Sequence, residues 1–154
     1  MNHPQPPETS EKPLATGERL PKSEVKDLSP EAVKEIQAIA ARYPDKLAGT
    51  LPALHIAQRE FGFVSLEAMK AVAKALAIPE GHVFGVASFY TMYQKRPVGR
   101  YHLQVCTNIS CALQGAAKLL EKVCERVGVQ PGEGPTADGM WSVEEVECLA
   151  SCGS

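Results

Sequence analysis

Two tight cysteine pairs constrain this chain more than any other feature. Four residues separate Cys106 from Cys111, three separate Cys148 from Cys152, and 36 lie between the pairs. One close pair is compatible with many chemistries. Two pairs, each closing a short loop, point to a thiolate-bound metal centre. A [2Fe–2S] cluster takes two thiolates on each iron, so one loop would serve each side. Structural zinc on all four cysteines is a second reading; its usual knuckles have two to four residues between the cysteines, a range that the Cys106/Cys111 spacing just meets. A thiol–disulfide oxidoreductase is a third, but it wants Cys-x-x-Cys at a helix start, which this chain lacks. Purely structural cysteines match the paired spacing least.

The rest of the composition narrows the setting. Sixteen basic and 18 acidic residues leave a net charge of −2. No basic stripe invites nucleic acid, and no polybasic patch invites an anionic membrane. No apolar run approaches the ~18 residues that span a bilayer. Residues 1–27 carry Pro4, Pro6, Pro7, Pro13 and Pro21 and no aromatic residue. Such a segment buries too little apolar surface to offset its ordering entropy, so a flexible tail is expected. It has no apolar signal core, and Glu8, Glu11 and Glu18 argue against a transit peptide. The expected compartment is therefore a reducing cytosol, where cysteines bind metals or do redox work.

Helical spacing dominates residues 28–95. Ser29-Pro30-Glu31 reads as the start of a helix with Val33, Ile36, Ala40 and Tyr43 on one face, broken at Pro44 and Asp45. A second helix begins near Thr50, carries Leu51, Leu54, Ala57 and Phe61, and stops at Gly62. Ser65 caps a third, with Leu66, Met69, Val72 and Leu76 inward; Pro79 opens a fourth through Val83, Val86 and Tyr90. The expectation is a small helical bundle without a thiolate ligand.

Residues 96–154 read as α/β. Tyr101–Cys106 alternates as a strand does and ends on Cys106. A loop, 107–110, leads to Cys111, which is expected to open a long helix to Val127. Leu113, Ala116, Leu120, Cys124 and Val127 form its buried stripe, Lys118, Glu121, Lys122 and Glu125 its wet face, and Gly128 its stop. A helix start at Cys111 would favour its thiolate. A second strand, 140–147, then delivers Cys148. Both loops follow strands, so a sheet would set them side by side. The small and polar residues beside the cysteines (Thr107, Asn108, Ser110, Ala112, Ala150, Ser151, Gly153) would let backbone amides reach cluster sulfurs. Glu144, Glu145 and Glu147, where close, would lower the reduction potential.

Other marked residues have plainer readings. Cys124 matches neither pair and is expected to be a small buried hydrophobe. His102 is expected on the strand surface, and Trp141 in packing. The aromatic run Phe89–Tyr93 is either packing of the fourth helix against the α/β half or a partner-facing patch. No GxGxxG, Walker lysine motif or Ser/His/Asp order is present, so no nicotinamide or flavin site is visible on this chain.

The segments ASFYTMYQKRPVGRYHLQVCTNISC (87–111) and VEEVECLASCG (143–153), with the gap between them, resemble the 24 kDa subunit of respiratory NADH:quinone oxidoreductase (complex I). RYPDKLAGTLPALHIAQREFGFVS (42–65) resembles its helical part. The resemblance runs from residue 28 onward. It implies a helical bundle over 28–95 and a thioredoxin-like [2Fe–2S] domain over 96–154. By position, the cluster ligands carry over to Cys106, Cys111, Cys148 and Cys152. It also implies a partner, the 51 kDa flavoprotein subunit, holding FMN, the NADH site and a [4Fe–4S] cluster, with further peripheral-arm subunits around it. The present chain would take one electron from that FMN without being catalytic itself. It would sit at the cytoplasmic face of a bacterial inner membrane through other subunits. Related subunits serve NAD-linked hydrogenases and formate dehydrogenases. Family members continue past the last cysteine with more strands and a closing helix, so the domain is expected to be incomplete at Ser154.

Overall fold

The computed structural model describes residues 27–152. Of the tail expected over 1–27, residues 1–26 fall outside them. Helix α1 (Pro30–Ala40) starts where local chemistry places it: Ser29 Oγ accepts the Ala32 N–H at 3.1 Å, and Pro30 fills the first turn, where its missing N–H costs nothing. It ends at Ala40, short of the expected Tyr43, which is exposed. Tyr43 precedes Pro44, and the proline ring disfavours helical backbone there. A 3-10 turn (Lys46–Gly49), which no periodicity in the sequence marks, follows at once. Asp45, read only as a breaker, caps it by accepting the Leu47 N–H at 2.9 Å.

Helix α2 (Thr50–Phe61) stops as expected at Gly62, whose φ of +83° admits the left-handed turn and whose N–H reaches the Gln58 carbonyl. Its Glu60 accepts the Ser29 N–H at 2.8 Å and so ties the start of α1 to the end of α2. Helix α3 (Leu66–Leu76) begins at buried Ser65, which accepts the Ala68 N–H at 3.1 Å. Helix α4 (Glu80–Phe89) follows Pro79. The four helices enclose one core containing Ile36, Leu54, Val64, Val72 and Val83, all fully buried.

The aromatic run after α4 is divided. Tyr93 enters the helical core at 1% exposure, and its hydroxyl donates to the Leu51 carbonyl at 2.8 Å. Phe89 is 79% exposed. Gln58 fastens the intervening backbone: its Nε2 donates to the Met92 carbonyl at 3.1 Å and its Oε1 accepts the Gln94 N–H at 2.6 Å. Burial, reinforced by Tyr90, pushes the Tyr93 hydroxyl up to about 12. The folded state thus holds this proton more tightly than the unfolded chain does. The stabilisation is complete below the ordinary value of 10.0 and is lost as pH rises toward 12. Urea unfolding across that alkaline range should show wild type losing stability with pH more steeply than Tyr93→Phe. Equal slopes would contradict the burial.

Residues 101–152 carry the second unit of packing. Strands β1 (Tyr101–Cys106) and β2 (Trp141–Val146) pair in parallel, from Tyr101 opposite Trp141 to Cys106 opposite Val146. Parallel neighbours need a long crossover. It is supplied by a five-residue helix, α5 (Ile109–Leu113), and by α6 (Ala116–Val127). Cys124, Val129 and Val143 form the buried centre between α6 and the sheet, with Leu120, Val123 and Val127 partly covered around it. Cys124 is therefore the buried hydrophobe expected. No helix among the described residues is long and apolar enough to cross a membrane.

The long helix expected from Cys111 to Val127 is two helices. Gly115, at φ +95°, interrupts it, and α6 restarts with a different phase. Leu113 consequently leaves the buried stripe and is 82% exposed, whereas Ala116 and Cys124 keep their places.

Candidate metal centre

Parallel pairing decides where the cysteines meet. Cys106 ends β1 opposite Val146, and one more ladder bond, Thr107 N–H to the Val146 carbonyl at 3.0 Å, carries the pairing past the strand. The chain leaves β2 through Glu147 and Cys148 at that same end. The Cys106 thiol donates to the Glu147 carbonyl at 3.2 Å, which joins the two loops directly.

Cys111 stands in the first turn of α5 rather than at its first position; Asn108 is the N-cap. Its thiol interacts with Cys106 of its own loop and with Cys152 of the other. The shared Cys106 hydrogen bond is the main cause that pushes the Cys111 thiol above its ordinary value, with desolvation next. Cys106 moves the opposite way. The Asn108 backbone amide chiefly, then Cys111 and the Leu149 amide, hold it below the ordinary thiol range. Ala150 N–H points at Cys148 Sγ at 3.4 Å. The loops therefore supply both sulfurs and the backbone donors that stabilise negative sulfur.

All four thiols are free; Cys106 and Cys111 are half-buried, Cys148 and Cys152 exposed. A two-iron cluster takes its thiolates in pairs on separate irons. Four free thiols at one end of a sheet, two of them facing backbone amides, suit the cluster.

Two expectations about neighbouring side chains need correction. His102 is not a plain surface residue: Nδ1 lies 2.8 Å from Ser142 Oγ and Nε2 3.0 Å from Glu144 Oε2, with the side chain 20% exposed. The cross-strand register sets Ser142 opposite His102 and makes Glu144 its diagonal neighbour, and sequence alone does not show that register. Glu144 is accordingly not a free charge. It accepts from Gln104 Nε2 at 2.8 Å as well. Trp141 is a packing residue, 4.8 Å from the Tyr101 ring. The amides of Asn108 and Leu149 as donors to Cys106 had only a general signal, the small and polar residues of the loops. A cleft of 920 Å³ between α6 and the strands, lined by Leu103, Lys122, Arg126 and Trp141 among others, contains no cysteine.

A family model described as thioredoxin-like [2Fe-2S] ferredoxin matches residues 36–154. The chain belongs to the thioredoxin-like [2Fe-2S] ferredoxin family. Within this iron–sulfur family, the chain is 42% identical over 119 residues to a subunit of the NADH-quinone oxidoreductase of Rhizobium meliloti, covering 77% of this chain and 70% of that one. It is 44% identical over 114 residues to NADH-quinone oxidoreductase subunit 2 of Thermus thermophilus, covering 73% of this chain and 62% of that one. Among solved structures, an NAD+-reducing [NiFe]-hydrogenase in the H2-reduced state matches with a TM-score of 0.52 and 29% identity. That match covers 65% of this chain and 16% of the hydrogenase chain.

Proposed function

We propose that this chain is an electron-transfer subunit of an NADH:quinone oxidoreductase, holding one [2Fe–2S] cluster on Cys106, Cys111, Cys148 and Cys152. The observation that carries this reading is the meeting of the two cysteine loops at one end of a parallel strand pair, with Cys106 bonded to the Glu147 carbonyl beside Cys148. When bound, the cluster supplies a one-electron acceptor for FMN on a partner flavoprotein subunit. The protein's own part is to hold four thiolates in place and to direct amides at them. No residue of the chain is assigned to hydride chemistry; NADH and FMN belong to the partner, the 51 kDa type of subunit. Residues 28–95 act as a helical docking unit and 96–154 as the cluster domain, supported by their separate buried centres. The complex lies at the cytoplasmic face of a bacterial membrane, reached through other subunits.

The similarity to an NAD+-reducing hydrogenase favours a second reading, the equivalent electron-transfer module of such an enzyme. Both readings require the same cluster. Anaerobic reconstitution with iron and sulfide should give a brown protein with about two irons and two labile sulfides per chain. A colourless chain that instead retains about one zinc would defeat both.

A further inference from the structure

Among the described residues, two that are not glycine adopt positive φ: Ala77 at 53° and Ala150 at 55°. A Cβ makes that backbone unfavourable, so each needs a compensating arrangement. Ala77 has an ordinary one. It closes α3, and its N–H bonds back to the carbonyls of Ala73 and Lys74. Ala150 ends no helix. It stands between Cys148 and Cys152, and its N–H points at Cys148 Sγ at 3.4 Å. The Ser151 hydroxyl donates to the Leu149 carbonyl at 3.2 Å, bracing the turn on its far side.

We infer that Ala150 is a positioning residue whose left-handed backbone aims an amide at the sulfur of Cys148 and thereby raises the reduction potential of the cluster. This rests on the cluster reading above. An added electron places more negative charge on the ligand sulfurs, and a backbone N–H donor stabilises that charge more in the reduced state than in the oxidised one. The donor belongs to the backbone, so side-chain identity matters only through the φ it permits. Glycine adopts this conformation without strain; a β-branched residue resists it strongly.

The test is a redox titration of the full chain carrying a reconstituted cluster, with iron content measured on each sample. Replacing Ala150 by L-lactic acid turns its amide into an ester, which deletes the donor and weakens the Leu149 carbonyl as acceptor of the Ser151 hydroxyl; Ala150→Gly keeps the donor and the turn; Ala150→Val opposes the turn. The ester form should titrate at a more negative potential than wild type with unchanged iron. Ala150→Gly should match wild type. Ala150→Val should either shift negative or lose iron that the glycine variant retains. An ester or valine variant with full iron and the wild-type potential would overturn the inference, as would a glycine variant as impaired as the valine one. Should the ester form fail to fold, the glycine and valine pair decides. A wild-type chain that takes up no iron overturns the cluster reading and this inference with it. An iron-loaded wild type with indifferent variants overturns this inference alone.

Discussion

Cys111→Ser is expected to lower the iron bound per chain at least about tenfold, since loss of mere outer-sphere partners already costs 10–100-fold in affinity. Cys111 stands at the centre of the thiol group: it interacts with Cys106 on one side and Cys152 on the other. A serine oxygen in its place is a harder and less acidic donor, poorly matched to iron–sulfur chemistry. Cys124→Ser is the control. That thiol is 4% exposed in the centre between α6 and the sheet, away from both loops, so its loss should leave iron and spectrum unchanged. Burying a hydroxyl there should still destabilise the fold by about 1–3 kcal/mol. The comparison needs metal analysis, a visible spectrum and a melting curve for each variant. An unaltered iron-to-protein ratio and spectrum for the Cys111 variant would refute the ligand assignment.

Gly99→Ala should be the most damaging substitution outside the cysteines. A Cβ at Gly99 would lie 2.5 Å from the Trp141 carbonyl carbon and 2.8 Å from both its Cα and its N. All three are backbone atoms, so no rotamer change relieves the clash. The Gly99 N–H also donates to Ser142 Oγ at 2.9 Å, which the same displacement would break. We expect a loss of about 3 kcal/mol or more, seen as a melting temperature roughly 6–12 °C lower. The first residues of β1 and β2 would separate, and β2 is the strand that delivers Cys148. Reduced iron retention should therefore accompany the lower melting point. Gly85→Ala provides the contrast. Nothing lies within 4 Å of a Cβ there, in the middle of α4, so alanine should stabilise by about 0.5–1 kcal/mol. Wild-type melting for Gly99→Ala would show that the segment before β1 does not approach β2 as described.

Much of the fold could be read from neighbouring residues. Ser29, Ser65, Gly62 and Gly128 mark helix ends in sequence and act as caps in the structure, because capping joins groups only a few residues apart. Alternation alone gives the limits of β1, Tyr101 and Cys106, and the strand has them. The single helix expected through Cys111 failed at Gly115. An amphipathic pattern crossing one glycine reads as continuous, while the left-handed turn there rephases everything after it. The aromatic run Phe89–Tyr93 could not be apportioned in advance, since whether Tyr93 is buried depends on the Leu51 carbonyl and Gln58.

Cysteine spacing, chain polarity and the capping residues are written in the linear order, and they determined the kind of cofactor to expect and most element boundaries. Register was decided elsewhere. Only tertiary structure sets Cys106 against the Glu147 carbonyl, His102 between Ser142 and Glu144, and Gly99 against the backbone of Trp141. The physical reason is range. Capping and periodicity act over one or two turns, whereas contacts across some 40 residues depend on how two strands and a crossover settle together, which no short stretch of sequence contains.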